Sequence, residues 1–234
     1  MNVLRNMEES VNRFLNLSYL LFAKSIRKIR SFWYSRKIDT GGGKITLHAP
    51  FVNIKIKKHK NASMHIKGNL NTMSHMGNKN PIYIELEENS TLKINGDFLI
   101  GQGVRIFLKN NSTLSIGGKE KESDSGISGD TLIMAYKEIH IGKDFLCAWN
   151  VFISDSDWHQ IKGQDHQAGV FIGDHVWIAN SNNILKGSNI GNNCIVASNS
   201  KTINSVFPDN ALIGGIPAKL LTRNIDWNRD IDKV

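Results

Sequence analysis

The sequence predicts an all-β solenoid with an N-terminal α-helix, and three observations carry that prediction. The first is a period of six: Ile172, Ile178, Ile184, Ile190, Val196 and Thr202 follow one another in unbroken register. The second is the same spacing upstream, in Ile94, Ile100 and Ile106 and again in Ile141, Cys147 and Ile153. The third is an opening stretch, residues 1–36, that lacks Gly and Pro and repeats its apolar residues every three or four positions.

A period of six fits neither a 3.6-residue helix nor a plain two-residue alternation. It fits a coil of triangular section, in which each side is a short strand and a turn. One aliphatic side chain points inward on each side, and a small residue lets the chain turn the corner. Gly142, Gly173, Ala179, Gly191 and Ala197 stand just after such slots. Three sides close one coil, and successive coils stack by parallel pairing. An Ile-rich sandwich gives no reason for six consecutive hits.

Taken in chain order, the helix comes first. Leu4, Met7, Val11, Leu15, Tyr19, Phe22, Ile26, Ile29 and Trp33 share one helical face, and Gly41-Gly42-Gly43 is read as its end and linker. The formal net charge is +8, and residues 1–37 hold eight basic side chains against Glu8 and Glu9. The basic character therefore belongs to this segment, and no nucleic-acid partner is expected for the body. Two readings stand: a helix packed on its own domain or a partner subunit, or a peripheral contact of residues 1–37 with an anionic membrane. The apolar run from Phe14 to Ala23 is too short for a transmembrane span, and no cleavage site follows it. The protein is expected in the cytoplasm, with the inner membrane face as its peripheral site.

The boundaries then read as follows. Residues 1–40 are the basic helix and Gly linker. Residues 41–91 are alternating N-terminal strands, read as early coils. Residues 92–220 are the six-residue-repeat solenoid, and 221–234 are a tail. Ile153 and Ile172 break the register, so the polar stretch between them leaves the coil as a loop, residues 154–170. Loops on a rigid scaffold are where function concentrates. Two cysteines, Cys147 and Cys194, are too few for a disulfide framework and lack metal-ligand spacing. Both read as small apolar fillers, and no metal site is expected.

The stretch Ile139–Leu220 resembles the left-handed parallel β-helix, hexapeptide-repeat acyltransferases. The resemblance lies in Ile172-Gly173-Asp174-His175-Val176-Trp177-Ile178-Ala179, in Ile184-Leu185-Lys186-Gly187-Ser188-Asn189-Ile190-Gly191 and in Gly214-Gly215-Ile216-Pro217-Ala218-Lys219. Ala148-Trp149-Asn150-Val151 followed by a loop histidine matches the sugar O-acetyltransferase branch. The tail Asn224-Ile225-Asp226-Trp227 is similar to that of capsular sialic-acid O-acetyltransferases. The left hand comes from the resemblance alone. The chain departs from the family's usual Gly at Ala179 and at Asn199.

The resemblance implies acetyl transfer from acetyl-coenzyme A to a sugar hydroxyl in a ternary complex. It assigns His159 as general base, and imidazole suits the task near pH 7. Asp155 or Asp157 then orients that ring, and both, with Trp158 and Asn150, are candidate acceptor contacts. The backbone N–H of Asn180 is the candidate oxyanion donor. Trp177, Ala179, Asn180 and Ser198 are candidate coenzyme contacts, with Lys201, Lys219 and Arg223 for its phosphates. His175 is expected to face solvent at a corner. The family is usually trimeric, so the expected partners are a sugar or polysaccharide acceptor and two further copies of the chain. Rival readings are N-acylation of an amino sugar, a zinc-binding solenoid enzyme, and a scaffold without activity.

Overall fold

The computed structural model describes residues 2–119, 124–230 and 232, and the side chains of the N-terminal helix from residue 15 onward. Among these residues lie one long helix, Asn2–Ser35, and three parallel sheets wound as a solenoid. The chain visits the sheets in strict rotation, so each sheet is one face of the coil. Face one runs from Lys44–Thr46 to Ala211–Gly215, face two from Ile54–Lys58 to Lys201–Thr202, and face three from Ser63–Ile66 to Val206–Phe207. Every strand pairing is parallel except the last, where Ala218–Arg223 turns back antiparallel on Ala211–Gly215. The reversal follows a cis Ile216–Pro217 bond.

The inward slots are filled as the period of six requires. Ile172, Ile178, Ile184, Ile190, Val196 and Thr202 are all buried, and so are Ile94, Ile100, Ile106, Ile141, Cys147 and Ile153. Slots three sides apart stack directly, as Ile172 on Ile190, Ile178 on Val196 and Ile184 on Thr202. The core is thus one column of aliphatic side chains. Residues 44–91 add strands to the same three sheets, so the described solenoid runs from Lys44.

Corners need residues that tolerate left-handed backbone, and Asn, Asp and Gly supply them. One corner column, between faces one and two, carries Asp130, Asn150, Ser181 and Asn199, all with φ between 45° and 60°. Asn150 is therefore fixed by geometry before any ligand is considered.

The helix stops at Ser35, before the glycines read as its end. The Ser35 hydroxyl accepts from Ile45 N–H at 2.9 Å, and the Ser31 hydroxyl accepts from Leu47 N–H at 3.1 Å. The first coil therefore captures the last helical turns. The glycines serve close approach instead: a Cβ on Gly41, at φ 105°, would lie 2.2 Å from the Ile66 carbonyl oxygen. Arg27 and Arg30 donate to the His48 and Pro50 carbonyls on the same side of the helix. Leu15, Tyr19, Phe22, Ile29 and Trp33 remain exposed. Leu4, Met7 and Val11 of the same stripe lie outside the described side chains. Among the described residues no helix is long and apolar enough to cross a membrane.

Candidate active site

The loop expected at 154–170 leaves the coil after Phe152–Ser154 on face two and returns at Val170–Ile172 on face three. It is tied down at its base. Asp157 N–H donates to the His166 carbonyl at 2.8 Å, and Ala168 N–H to the Asp155 carbonyl at 2.9 Å. Trp158 packs edge-on against Tyr136 with ring centroids 4.7 Å apart. His159 follows Trp158 and is exposed, and among the described residues none hydrogen-bonds its ring.

The two carboxylates assigned to that ring are engaged elsewhere. Asp155 is fully buried and accepts from the backbone N–H groups of Tyr136, Lys137 and Glu138 at 2.7–2.8 Å. Burial pushes its carboxyl above the usual range, against the pull of those donors. It anchors the loop to the preceding coil and is closed to both His159 and an acceptor. Asp157 is paired with Lys186 Nζ at 2.5 Å. The Lys186 ammonium is almost fully buried and also donates to the Asp165 carbonyl at 2.6 Å. A buried ammonium needs such partners, so Asp157 and Lys186 stake the loop to the next coil. Lys186 was visible in the sequence as part of a repeat segment, but nothing local marked it as buried beneath the loop.

The remaining residues gather at the corner between faces one and two. Asn150 Nδ2 donates to Ser181 Oγ at 3.2 Å, and Ser198 Oγ to Asn180 Oδ1 at 2.8 Å. Ala179 N–H is spent on the Val196 carbonyl. Trp177 points outward from face one and is partly exposed. Its ring lies 5.8 Å from Trp227 of the tail, which stacks on His175 at 4.1 Å and donates from Nε1 to the His175 carbonyl at 3.2 Å. His175 is thus a clamp for the tail, not a solvent-facing corner residue. Lys201 stands on face two beside Asn183, while Lys219 and Arg223 are exposed on the closing strand.

One chain therefore brings Asn150, Ala179, Asn180 and Ser198 together at one corner, while the loop that carries His159 leaves the coil at another. The corner borders one margin of face two, and the histidine loop leaves from the other. Cys147 and Cys194 are buried, and burial pushes the Cys147 thiol up to about 12. Neither offers an accessible thiolate at neutral pH. Among the described residues no three His, Cys, Asp or Glu side chains converge on a metal position.

No family model matches the chain. It is 31% identical over 189 residues to an uncharacterised 24.8 kDa protein of the cps region of Klebsiella pneumoniae, covering 77% of this chain and 80% of that one. It is 31% identical over 178 residues to the polysialic acid O-acetyltransferase of Neisseria meningitidis, covering 69% and 81%. Among solved structures it aligns with the polySia-specific acetyltransferase NeuO, with TM-score 0.46, 20% identity and coverage of 84% and 90%.

Proposed function

This chain belongs to the hexapeptide-repeat acyltransferases related to capsular sugar O-acetyltransferases, left-handed parallel β-helices, and from that membership we propose that it acetylates a hydroxyl of a surface polysaccharide or its precursor. Acetyl-coenzyme A is the donor and His159 the general base. The observation that supports this is the staked loop, which leaves one margin of face two with an exposed imidazole, while a polar corner lines the other margin.

The chemistry follows from those groups. His159 takes the proton of the sugar hydroxyl as its oxygen attacks the thioester carbonyl. A C–O bond forms, and the Asn180 N–H stabilises the developing oxyanion. The C–S bond then breaks, and the departing thiolate takes the proton back from the imidazolium. Asn150 orients the acceptor, and Trp177, Ala179 and Ser198 flank the pantetheine arm. The cations Lys201, Lys219 and Arg223 meet the coenzyme's phosphates. In this reading Trp158 shapes the loop through its packing on Tyr136.

Because the base and the corner stand on opposite margins of face two, a homotrimer supports the chemistry better than a single chain: the loop of one copy meets the corner of the next. The N-terminal helix turns its polar side to the body and its apolar stripe outward. Lys24, Lys28, Arg36 and Lys37, with no acid between Lys24 and Ile38, complement an anionic bilayer surface, while Arg27 and Arg30 hold the helix to the body. This supports peripheral contact at the membrane where polysaccharide is assembled.

The test is incubation with acetyl-coenzyme A and a panel of neutral, amino and carboxylated sugars, read by mass spectrometry. A mass gain of one acetyl on a hydroxyl, lost in His159→Ala, is expected. Acetylation confined to amines refutes O-transfer, and full activity in the variant refutes the base. Mixing inactive His159→Ala with inactive Asn180→Pro chains regains activity only if neighbouring copies share a site. Cosedimentation with anionic rather than neutral vesicles, reduced by Phe22→Glu, checks the membrane contact.

A further inference from the structure

An open cleft of about 530 Å³ lies on face two of the N-terminal coils, beside the corner shared with face one. Tyr83 and Phe107 line it with rings 5.2 Å apart. Arg105 sits next to Tyr83 on the adjoining strand. Asn80, Asp130 and Asn150 form its rim. Asn150 also belongs to the polar corner already described, so the cleft opens onto the candidate active site.

We propose that this cleft is an acceptor subsite for a carboxylated sugar unit, held while another unit of the same oligosaccharide is acetylated farther along face two. The inference rests on the reading of the chain as a sugar O-acetyltransferase. An aromatic wall offers a flat apolar surface to one side of a pyranose ring. The amides of Asn80 and Asn150 and the carboxylate of Asp130, steadied by Asn78 Nδ2 at 2.6 Å, meet sugar hydroxyls.

The carboxylate preference comes from Arg105. Its side chain is exposed, and among the described residues no acid pairs with it. Neighbouring cations are spent: Lys57 on Glu85 at 2.6 Å and Lys109 on Glu87 at 2.6 Å. A planar guanidinium left free beside an aromatic wall matches a sugar carboxylate by two parallel hydrogen bonds.

The strand register gives the cleft its direction. Tyr83, Arg105, Leu132, Phe152, Asn183 and Lys201 stand side by side across successive strands of face two. Asn183 is four strand spacings from Tyr83, about 19 Å at about 4.8 Å each. An oligosaccharide laid along this row runs from the cleft toward the Asn180 corner, which in the trimeric reading is met by the His159 loop of the next copy. A monosaccharide cannot occupy both ends.

The test is calorimetry on the full-length protein with a sialic acid oligomer, its monomer and an uncharged glucose oligomer of the same length. The charged oligomer is expected to bind best. Arg105→Gln is expected to weaken it about tenfold, as loss of one charge-assisted pair should, and Phe107→Ala also weakens it. In turnover, both losses fall on KM for the long acceptor rather than on kcat. His159→Ala should still bind it. Equal binding of charged and neutral oligomers, or unchanged binding in Arg105→Gln, overturns the subsite. If the charged oligomer binds through Arg105 but no sugar is acetylated, the subsite stands and the catalytic reading fails.

Discussion

The two ends of the solenoid build the same cross-section by different means. Near the N-terminus a coil takes 28 residues, as from Ser63 to Thr91, and its strands are four or five residues long. Near the C-terminus a coil takes 18, as from Asn180 to Ser198, and its strands shrink to two residues. Both ends bury one aliphatic column. The extra residues of the long coils widen the faces and lengthen the turns, which makes room for an aromatic cleft. The short coils have nothing to spare, and their chemistry sits at corners and on one inserted loop. The difference teaches that the repeat fixes the core while departures from it carry recognition.

The sharpest way to break this division is to compare one change at each end. His159→Ala should lower turnover by about 10²–10⁴-fold, the usual contribution of a positioned general base. Because the ring is exposed, the melting temperature should barely move, which thermal scans check alongside the rate. The same loss of kcat from Arg105→Gln, in the long coils, would erase the distinction between chemistry and recognition.

The second comparison concerns slack in the core. Ile84 and Ile178 are both fully buried inward slots, one in a five-residue strand and one in a two-residue strand. Truncation to Ala should cost about 2–5 kcal/mol at either site. Ile178→Ala should lie nearer the upper end, because six-residue sides leave little backbone able to collapse into the gap. Urea midpoints of the two variants decide this. A larger loss at Ile84 would mean that the long strands are the more rigid.

The same contrast explains what the sequence made legible. The six slots from Ile172 to Thr202 announced themselves because a coil of constant length repeats its register. The first coils did not, since their lengths vary with their turns, and only local alternation was visible there. His159 was legible as a loop histidine through family likeness. The work of Asp155 was not, because its partners are backbone N–H groups of the preceding coil, which carry no residue signature. The pairing of His175 with Trp227 joins residues 52 apart across the tail, which no local pattern encodes. The Tyr83–Phe107 cleft was hidden for a like reason: its two rings meet only once the strands are in register.

Asp155 supplies the third test. Asp155→Ala leaves three backbone donors without their buried acceptor, at a cost of about 2–3 kcal/mol. Turnover at a temperature where the variant remains folded should fall as well, because the histidine loop loses its anchor. Amide hydrogen exchange should rise at Tyr136, Lys137 and Glu138 and across residues 155–169. A variant with unchanged exchange would show that the Lys186–Asp157 stake holds the loop alone.

The smallest expected effect belongs to the long coils and concerns Glu85. Its carboxylate accepts from Lys57 at 2.6 Å and Tyr83 Oη at 2.7 Å, with His59 Nε2 at 3.1 Å. Lys57 and then Tyr83 are the main groups holding its pKa at about 2, below the ordinary 4.5. A depressed carboxylate stabilises the fold above its unfolded value and loses that contribution as pH falls through its folded value. The window is therefore between about pH 4.5 and pH 2. Lys57 is largely exposed, so solvent screens the pair and the contribution is small. Glu85→Gln should lower stability slightly at neutral pH, and the difference from wild type should vanish on acidification across this window. Urea titrations at pH 7 and pH 3 should already show the difference reduced at the lower pH. Because Glu85 also holds the Tyr83 hydroxyl, the variant should loosen one wall of the cleft, so a modest rise in the KM for the long acceptor should accompany the stability change. A stability loss without that rise would separate the ion pair from recognition and leave Arg105 and Phe107 to carry the subsite.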